Sequence, residues 1–233
     1  MAGSINSSPA HHGSPAHHGR DLLGQTVMVI GGSSGIGLET ARLARAKGAG
    51  IILTARDPDR LHRAGLELGA SIAAFDATDF DRLNQFFDAL PAPIDHLLVT
   101  GPRPRCALLS DFDLDAARRD VDARLLLPLQ VAKDAASKVR PGGTLLFIGD
   151  TGGHRTAAGR SLIAALAAAL PAMTKTLALE AAPVRVNLIA AGLPPAGRVV
   201  GPAGIAALAT HVMTNTAITG ATFDIDGGQQ LAT

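Results

Sequence analysis

From residue 21 onward, short apolar runs rich in β-branched residues alternate with longer stretches whose apolar positions recur at helical spacing. The strand candidates are residues 26–30 (Thr-Val-Met-Val-Ile), 50–54, 71–75, 96–100, 143–148, 184–189 and 222–225. They read as continuous apolar runs, as strands covered on both faces do. Helices fall between them, for instance over 36–47, closing at Gly48, and over 114–139, ending before Pro141-Gly142. This alternation predicts a single α/β domain over residues 21–233, with a doubly wound parallel sheet of about seven strands, right-handed crossovers and helices on both faces.

Two segments stand apart from the alternation. Residues 161–182 are Ala- and Leu-rich and apolar on nearly every side until Lys175. A helix without a polar face needs cover all round, so part of it is expected against the sheet and part against another subunit. Residues 1–20 carry Ser-Pro-Ala-His-His-Gly twice in tandem and have almost nothing to bury. They read as a disordered, His-containing tail or an artificial addition, set apart from the fold.

Chemistry first shows at the end of the first strand, which runs into Gly31-Gly32-Ser33-Ser34-Gly35-Ile36-Gly37 and then a helix. Glycine admits positive φ and lets the backbone approach a diphosphate with no Cβ in the way. The free N–H groups and dipole of the helix N-terminus then stabilise the anion. In this strand–turn–helix context the glycine pattern reads as the Rossmann-type dinucleotide cradle. The second strand ends at Arg56, nineteen residues beyond Gly37. An acidic residue there would bind the ribose 2′-hydroxyl of NAD, whereas an arginine suits the 2′-phosphate of NADP. NADP is therefore expected ahead of NAD, although Asp57 follows immediately and a shift of one residue would reverse the preference.

The totals narrow the remaining options. With 47% hydrophobic residues and a net charge of +1, the chain can bury one large core and shows no basic stripe for nucleic acid. Its single cysteine, Cys106, permits neither an internal disulfide nor a four-cysteine zinc site, and reads as a small buried hydrophobe. The N-terminus has no apolar stretch of signal-peptide type, and the longest apolar run, 162–173, is short for a bilayer and contains Pro171. A cytoplasmic protein without a membrane partner is expected. There is no Tyr and no Trp anywhere in the chain.

Taken in order, these motifs make residues 21–233 resemble the short-chain dehydrogenase/reductase family. The glycine turn is similar to that family's Thr-Gly-x-x-x-Gly-x-Gly, with Ile30 in place of the threonine, and Ala55-Arg56-Asp57-Pro58 resembles the second-strand end of its NADP-dependent members. Phe75-Asp76-Ala77-Thr78-Asp79, Leu179 through Asn187, Ile218-Thr219-Gly220 and Asp226-Gly227-Gly228 resemble its later signatures. The resemblance implies a cofactor site built from Gly31, Ser33, Ser34, Gly35, Ile36, Gly37, Arg56, Asp76, Ala77, Thr100 and Gly101. In it the Asp76 side chain and Ala77 backbone would meet adenine. It also implies a homodimer or homotetramer formed through the apolar 161–182 helix.

The pattern breaks where the family's catalytic Tyr-x-x-x-Lys pair belongs. Spacing back from Glu180 puts the lysine at Ala167 and the tyrosine at Ile163; spacing on from strand five puts the serine at Asp150. The asparagine position lands near Arg124, and Val99-Thr100-Gly101-Pro102 stands for Asn-Asn-Ala-Gly. With no tyrosine in the chain, proton exchange by a tuned phenol is excluded. The replacement candidates are Asp150 and His154, a carboxylate orienting an imidazole, with Arg155 or Arg160 facing a developing oxyanion. A turn-shaping Asp150 and a solvated His154 are the structural alternative.

Two functions follow from the sequence. One is an NADP-dependent oxidoreductase with a non-standard active site, moving hydride to or from a small apolar carbonyl, alcohol or conjugated alkene. The other is a catalytically inactive NADP-binding pseudoenzyme acting as a sensor or partner subunit; a non-redox lyase or cyclase on the same scaffold stands behind both.

Overall fold

The computed structural model describes residues 21–91, 93–102, 105–151, 157–192 and 200–228. The expected tail 1–20, His154 and Arg155 lie outside them. Cys106, expected to be buried, is exposed in the loop after β4. Strands β1 (Thr26–Ile30), β2 (Gly50–Ala55), β3 (Ser71–Ala74), β4 (Ile94–Val99), β5 (Val139–Asp150), β6 (Arg185–Ala191) and β7 (Thr222–Ile225) form one parallel sheet in the order β3-β2-β1-β4-β5-β6-β7. The chain winds outward from β1 to one edge, then returns to β4 and winds to the other. This makes β1 and β4 neighbours that feed connections to opposite sides.

Strand pleating divides the core in two. Met28, Ile30, Leu97, Val99, Leu145, Phe147, Val186 and Leu188 point to one face. There they are covered by α3 (Phe80–Asp88), α5 (Leu127–Ala135) and α6 (Ser161–Glu180). Val27, Val29, Leu53, Leu98, Leu146 and Ile189 point to the other face, under α1 (Gly35–Ala46), α2 (Pro58–Leu68) and α7 (Pro202–Thr214). Helix ends follow local chemistry. Asp57 accepts the N–H groups of Asp59 and Arg60 ahead of Pro58, and Gly69 closes α2 at φ +58°.

The strand expectations hold to within a few residues at either end. The expected 114–139 helix does not run unbroken. It is α4 (Leu114–Val121), a π-helical turn (Asp122–Leu126) and α5. Pro128 is the physical reason: it has no N–H for the carbonyl of Arg124, four residues earlier, and its ring crowds that carbonyl. β5 also begins earlier than expected, at Val139, with a register irregularity against β4 between Ile94 and His96.

Helix α6 is long and apolar enough to cross a membrane by length and composition, longer than the 162–173 run suggests. In this fold Ile163, Leu166, Ala167, Leu170, Thr174 and Leu177 bury one face beneath the sheet. The other face, with Ala165, Ala168, Ala172 and Leu179, is exposed.

Two buried polar groups brace the edge opposite the glycine turn. The guanidinium of Arg185 donates to the carbonyls of Gly142, Val212, Met213, Asn215 and Ile218, and to the Thr144 hydroxyl. The Val212, Met213 and Asn215 carbonyls belong to the C-terminal end of α7, where a cation is favoured. Next to it in the core, His96 is 4% exposed, with Nε2 2.6 Å from the Gln25 Oε1. The network assigns the Nε2–H tautomer, leaving Nδ1 without a partner. Burial pushes the His96 pKa down to about 4, against the pull of Asp95 and with a smaller push from the Arg185 charge.

Replacing Arg185 by Met strands those carbonyls and should lower the unfolding free energy by at least about 3 kcal/mol in a denaturant titration. His96 gives a pH signature. Its folded pKa lies below the ordinary 6.5, so its stabilisation is complete above about pH 6.5 and is lost as pH falls towards 4. The expected loss is about 3 kcal/mol, and His96→Gln should flatten that part of the stability profile.

Candidate functional site

In a parallel sheet every strand delivers its carboxyl end to the same edge, and a crevice opens where the winding reverses. Here that edge holds a cavity of about 590 Å³. Gly31, Ser33, Ser34, Gly35 and Ile36 border it along one side, with Thr100 and Gly101 beyond β4. Arg56, Asp76 and Ala77 border one end, Asp150 the other.

The turn itself needs its glycines. Gly31 takes φ +86°, and a Cβ there would lie 2.6 Å from the Thr100 carbonyl oxygen. At Gly37 a Cβ would lie 2.3 Å from the Gly31 carbonyl oxygen, so any side chain would push α1 off the turn. Gly37 is buried and absent from the lining, which makes it a packing residue of the cradle. Gly35 takes φ +55° and a Cβ there would meet nothing, so its backbone faces open space. Ser34, the residue capping α1, makes no side-chain capping bond. The N–H groups of the first turn of α1 have no helical acceptors. Open space, spare donors and the helix dipole converge here, and this fits the diphosphate of a dinucleotide.

At the β2 end the structure separates the roles of Arg56 and Asp57. One Asp57 oxygen accepts both N–H groups at the start of α2 and the other pairs with Arg60 at 3.1 Å. Its carboxylate is therefore engaged away from a ribose hydroxyl. Arg56 is 65% exposed on the cavity and lies 3.9 Å from an Asp76 oxygen. The other Asp76 oxygen accepts from the Thr78 N–H and hydroxyl, which fixes the loop after β3. An accessible guanidinium beside a cavity fits a 2′-phosphate.

At the far end, Asp150 closes β5 with its side chain 10% exposed, and Arg160 pairs with it at 3.4 Å. Arg124 sits inside the π-helical turn, a distortion often found at functional sites. It donates to the Pro102 carbonyl, while its Nε is buried without a partner. Burial holds the Arg124 guanidinium below its usual range, with Asp120 and Asp150 acting against that shift. Leu127, Phe147, Leu170 and Ile205 supply apolar wall. Ile163 and Ala167 are buried in the core rather than in the lining, so neither offers a proton-exchanging group.

The structure thus brings the expected cofactor residues, Gly37 excepted as a packing residue, and Asp150 onto one cavity. Sequence reasoning did not single out Arg105, Arg119 or Asp120, which also border it. For Arg119 and Asp120 the available signal was Pro128, since a proline inside an expected helix marks a break in it.

Residues 30–194 match the family described as enoyl-(acyl carrier protein) reductase. The chain is 30% identical over 185 residues to a short-chain dehydrogenase/reductase of Stachybotrys chlorohalonatus, covering 72% of this chain and 73% of the relative. It is 29% identical over 173 residues to the cyclic-di-GMP-binding biofilm dispersal mediator protein of Escherichia coli, covering 72% and 73%. The crystal structure of BdcA in complex with NADPH superposes with a TM-score of 0.81 at 25% identity, covering 89% of this chain and 95% of that one. A cradle at the switch point of a seven-stranded parallel sheet defines a dinucleotide-binding protein. The chain belongs to the short-chain dehydrogenase/reductase family.

Gly37→Ala tests the cradle. The variant should stay folded by circular dichroism and bind NADPH at least about tenfold more weakly by calorimetry.

Proposed function

We propose that this protein is an NADP-linked oxidoreductase that transfers hydride to or from a small carbonyl compound, alcohol or conjugated alkene without the family's tyrosine–lysine pair. The observation that carries the reading is the continuous cleft from Arg56, past the glycine turn, to Asp150. NADP(H) supplies the hydride when bound. The chain's own part is to hold the diphosphate on the amides around Gly35, meet the 2′-phosphate with Arg56, and keep water off the reacting face with Leu127, Phe147 and Leu170. Asp150 and His154 are the proposed proton-handling residues. Arg160 fixes Asp150, and His154 follows four residues on in the sequence. A conjugated alkene asks least of this site, because water can protonate the carbon.

The absence of any tyrosine, with Ile163 and Ala167 buried at the tyrosine and lysine positions, supports a second reading. In it the protein binds NADP and signals or pairs without turnover. The Escherichia coli relative, named for ligand binding rather than catalysis, supports it further. In either case the exposed apolar face of α6 is suited to meet a second copy in a homodimer or homotetramer.

Purified protein should bind NADPH ahead of NADH and bleach the reduced nicotinamide absorbance band with a panel of small carbonyls or enones. Tight binding with no bleaching favours the second reading; indifference to both dinucleotides at millimolar concentration sinks both. Arg56→Ser should cut the NADPH-over-NADH preference by at least about tenfold.

A further inference from the structure

We propose that the Asp150 end of the cleft recognises a carboxylate, with Arg124 as the residue that binds it, so that the substrate is a small oxo acid with an apolar body. The inference rests on the oxidoreductase reading and adds the substrate's charge.

The lining at this end is not apolar throughout. Arg105, Arg119 and Arg124 border it together with Asp120 and Asp150. The Asp150 carboxylate is already paired with Arg160, which stands behind it, outside the lining. Asp113 caps α4 through the N–H groups of Asp115 and Ala116, and the Arg119 and Arg105 charges lie near it. Arg124 differs from the two exposed arginines. Its Nη2 is tied to the Pro102 carbonyl, which fixes the plane of the fork, and its buried Nε has no acceptor.

A buried N–H without an acceptor is costly in a folded protein. A planar guanidinium partly desolvated in the cavity wall and held by one nitrogen is pre-organised for a carboxylate, which accepts two parallel N–H bonds. Leu127 and Phe147 border the same cavity and suit the remainder of an apolar-bodied acid. Reduction would balance as hydride onto the carbonyl carbon and a proton onto its oxygen, drawn ultimately from water through the proton-handling residues named above, giving a hydroxy acid and NADP⁺.

Phenylpyruvate and phenylacetone share ring, methylene and carbonyl and differ by the carboxylate, so they isolate this contact. Protein first loaded with NADP⁺, which forbids turnover of either ketone, is titrated with each by calorimetry. Phenylpyruvate should bind at least about tenfold more tightly. Arg124→Gln should erase that difference while leaving phenylacetone binding unchanged, and Arg124→Lys should restore part of it. A thermal melt checks that each variant is folded; if the glutamine variant is not, the lysine variant must still lose part of the discrimination.

The proposal is overturned if the two ketones bind alike, if neither binds, or if Arg124→Gln weakens both equally. The last result would make Arg124 only a tie between the π-helical turn and the loop after β4. Failure of the initial NADP⁺ titration would instead overturn the oxidoreductase reading and this proposal with it, and is seen before any ketone is added.

Discussion

The constraint on which this molecule depends is that all of its strands run in one direction. A parallel sheet cannot be closed by hairpins, so each strand must be followed by a crossover, and the crossovers bury both faces. The same constraint sends every strand's carboxyl end to one edge. Where the winding reverses between β1 and β4, the connections leave to opposite faces and a cavity opens at that edge. The crevice is a by-product of topology, and chemistry has only to line it.

That lining is built by backbone at one end and by side chains at the other. Near β1 the glycines act by what they lack: Gly31 lies against the Thr100 carbonyl and Gly37 against the Gly31 carbonyl at distances no Cβ would survive. At the β5 end the work falls to charges set in an apolar wall, Arg124 on its π-helical turn and Asp150 against Arg160. The first end is shaped to hold a dinucleotide in the manner of the family. The second end is ionic, with Arg124 and Asp150 set among Leu127, Phe147 and Leu170.

Much of this was legible in the sequence because strand burial leaves a strong local signal. Val-Met-Val-Ile and Leu-Leu-Phe-Ile are apolar on successive positions, and Gly-Gly-Ser-Ser-Gly-Ile-Gly follows the first of them directly. What could not be read there depends on hydrogen bonds that only the folded chain shows. Arg56 and Asp57 are adjacent and opposite in charge; their roles separate only because the Asp57 oxygens are engaged at the start of α2. The helix expected over 114–139 hid a distortion marked only by Pro128, which can open a new helix as readily as it breaks one. Arg105 and Arg119 went unnoticed for a related reason: isolated basic residues look like any solvated surface until the fold gives them a common wall.

The Arg185 latch carries a meaning beyond stability. It grips the C-terminal end of α7, and the opposite end of that rigid rod presents Pro202 and Ile205 to the cleft. The amino end of β6 therefore has mechanical leverage over the cavity wall a full helix length away. Loosening the anchor would tilt the wall without touching a single residue that lines it.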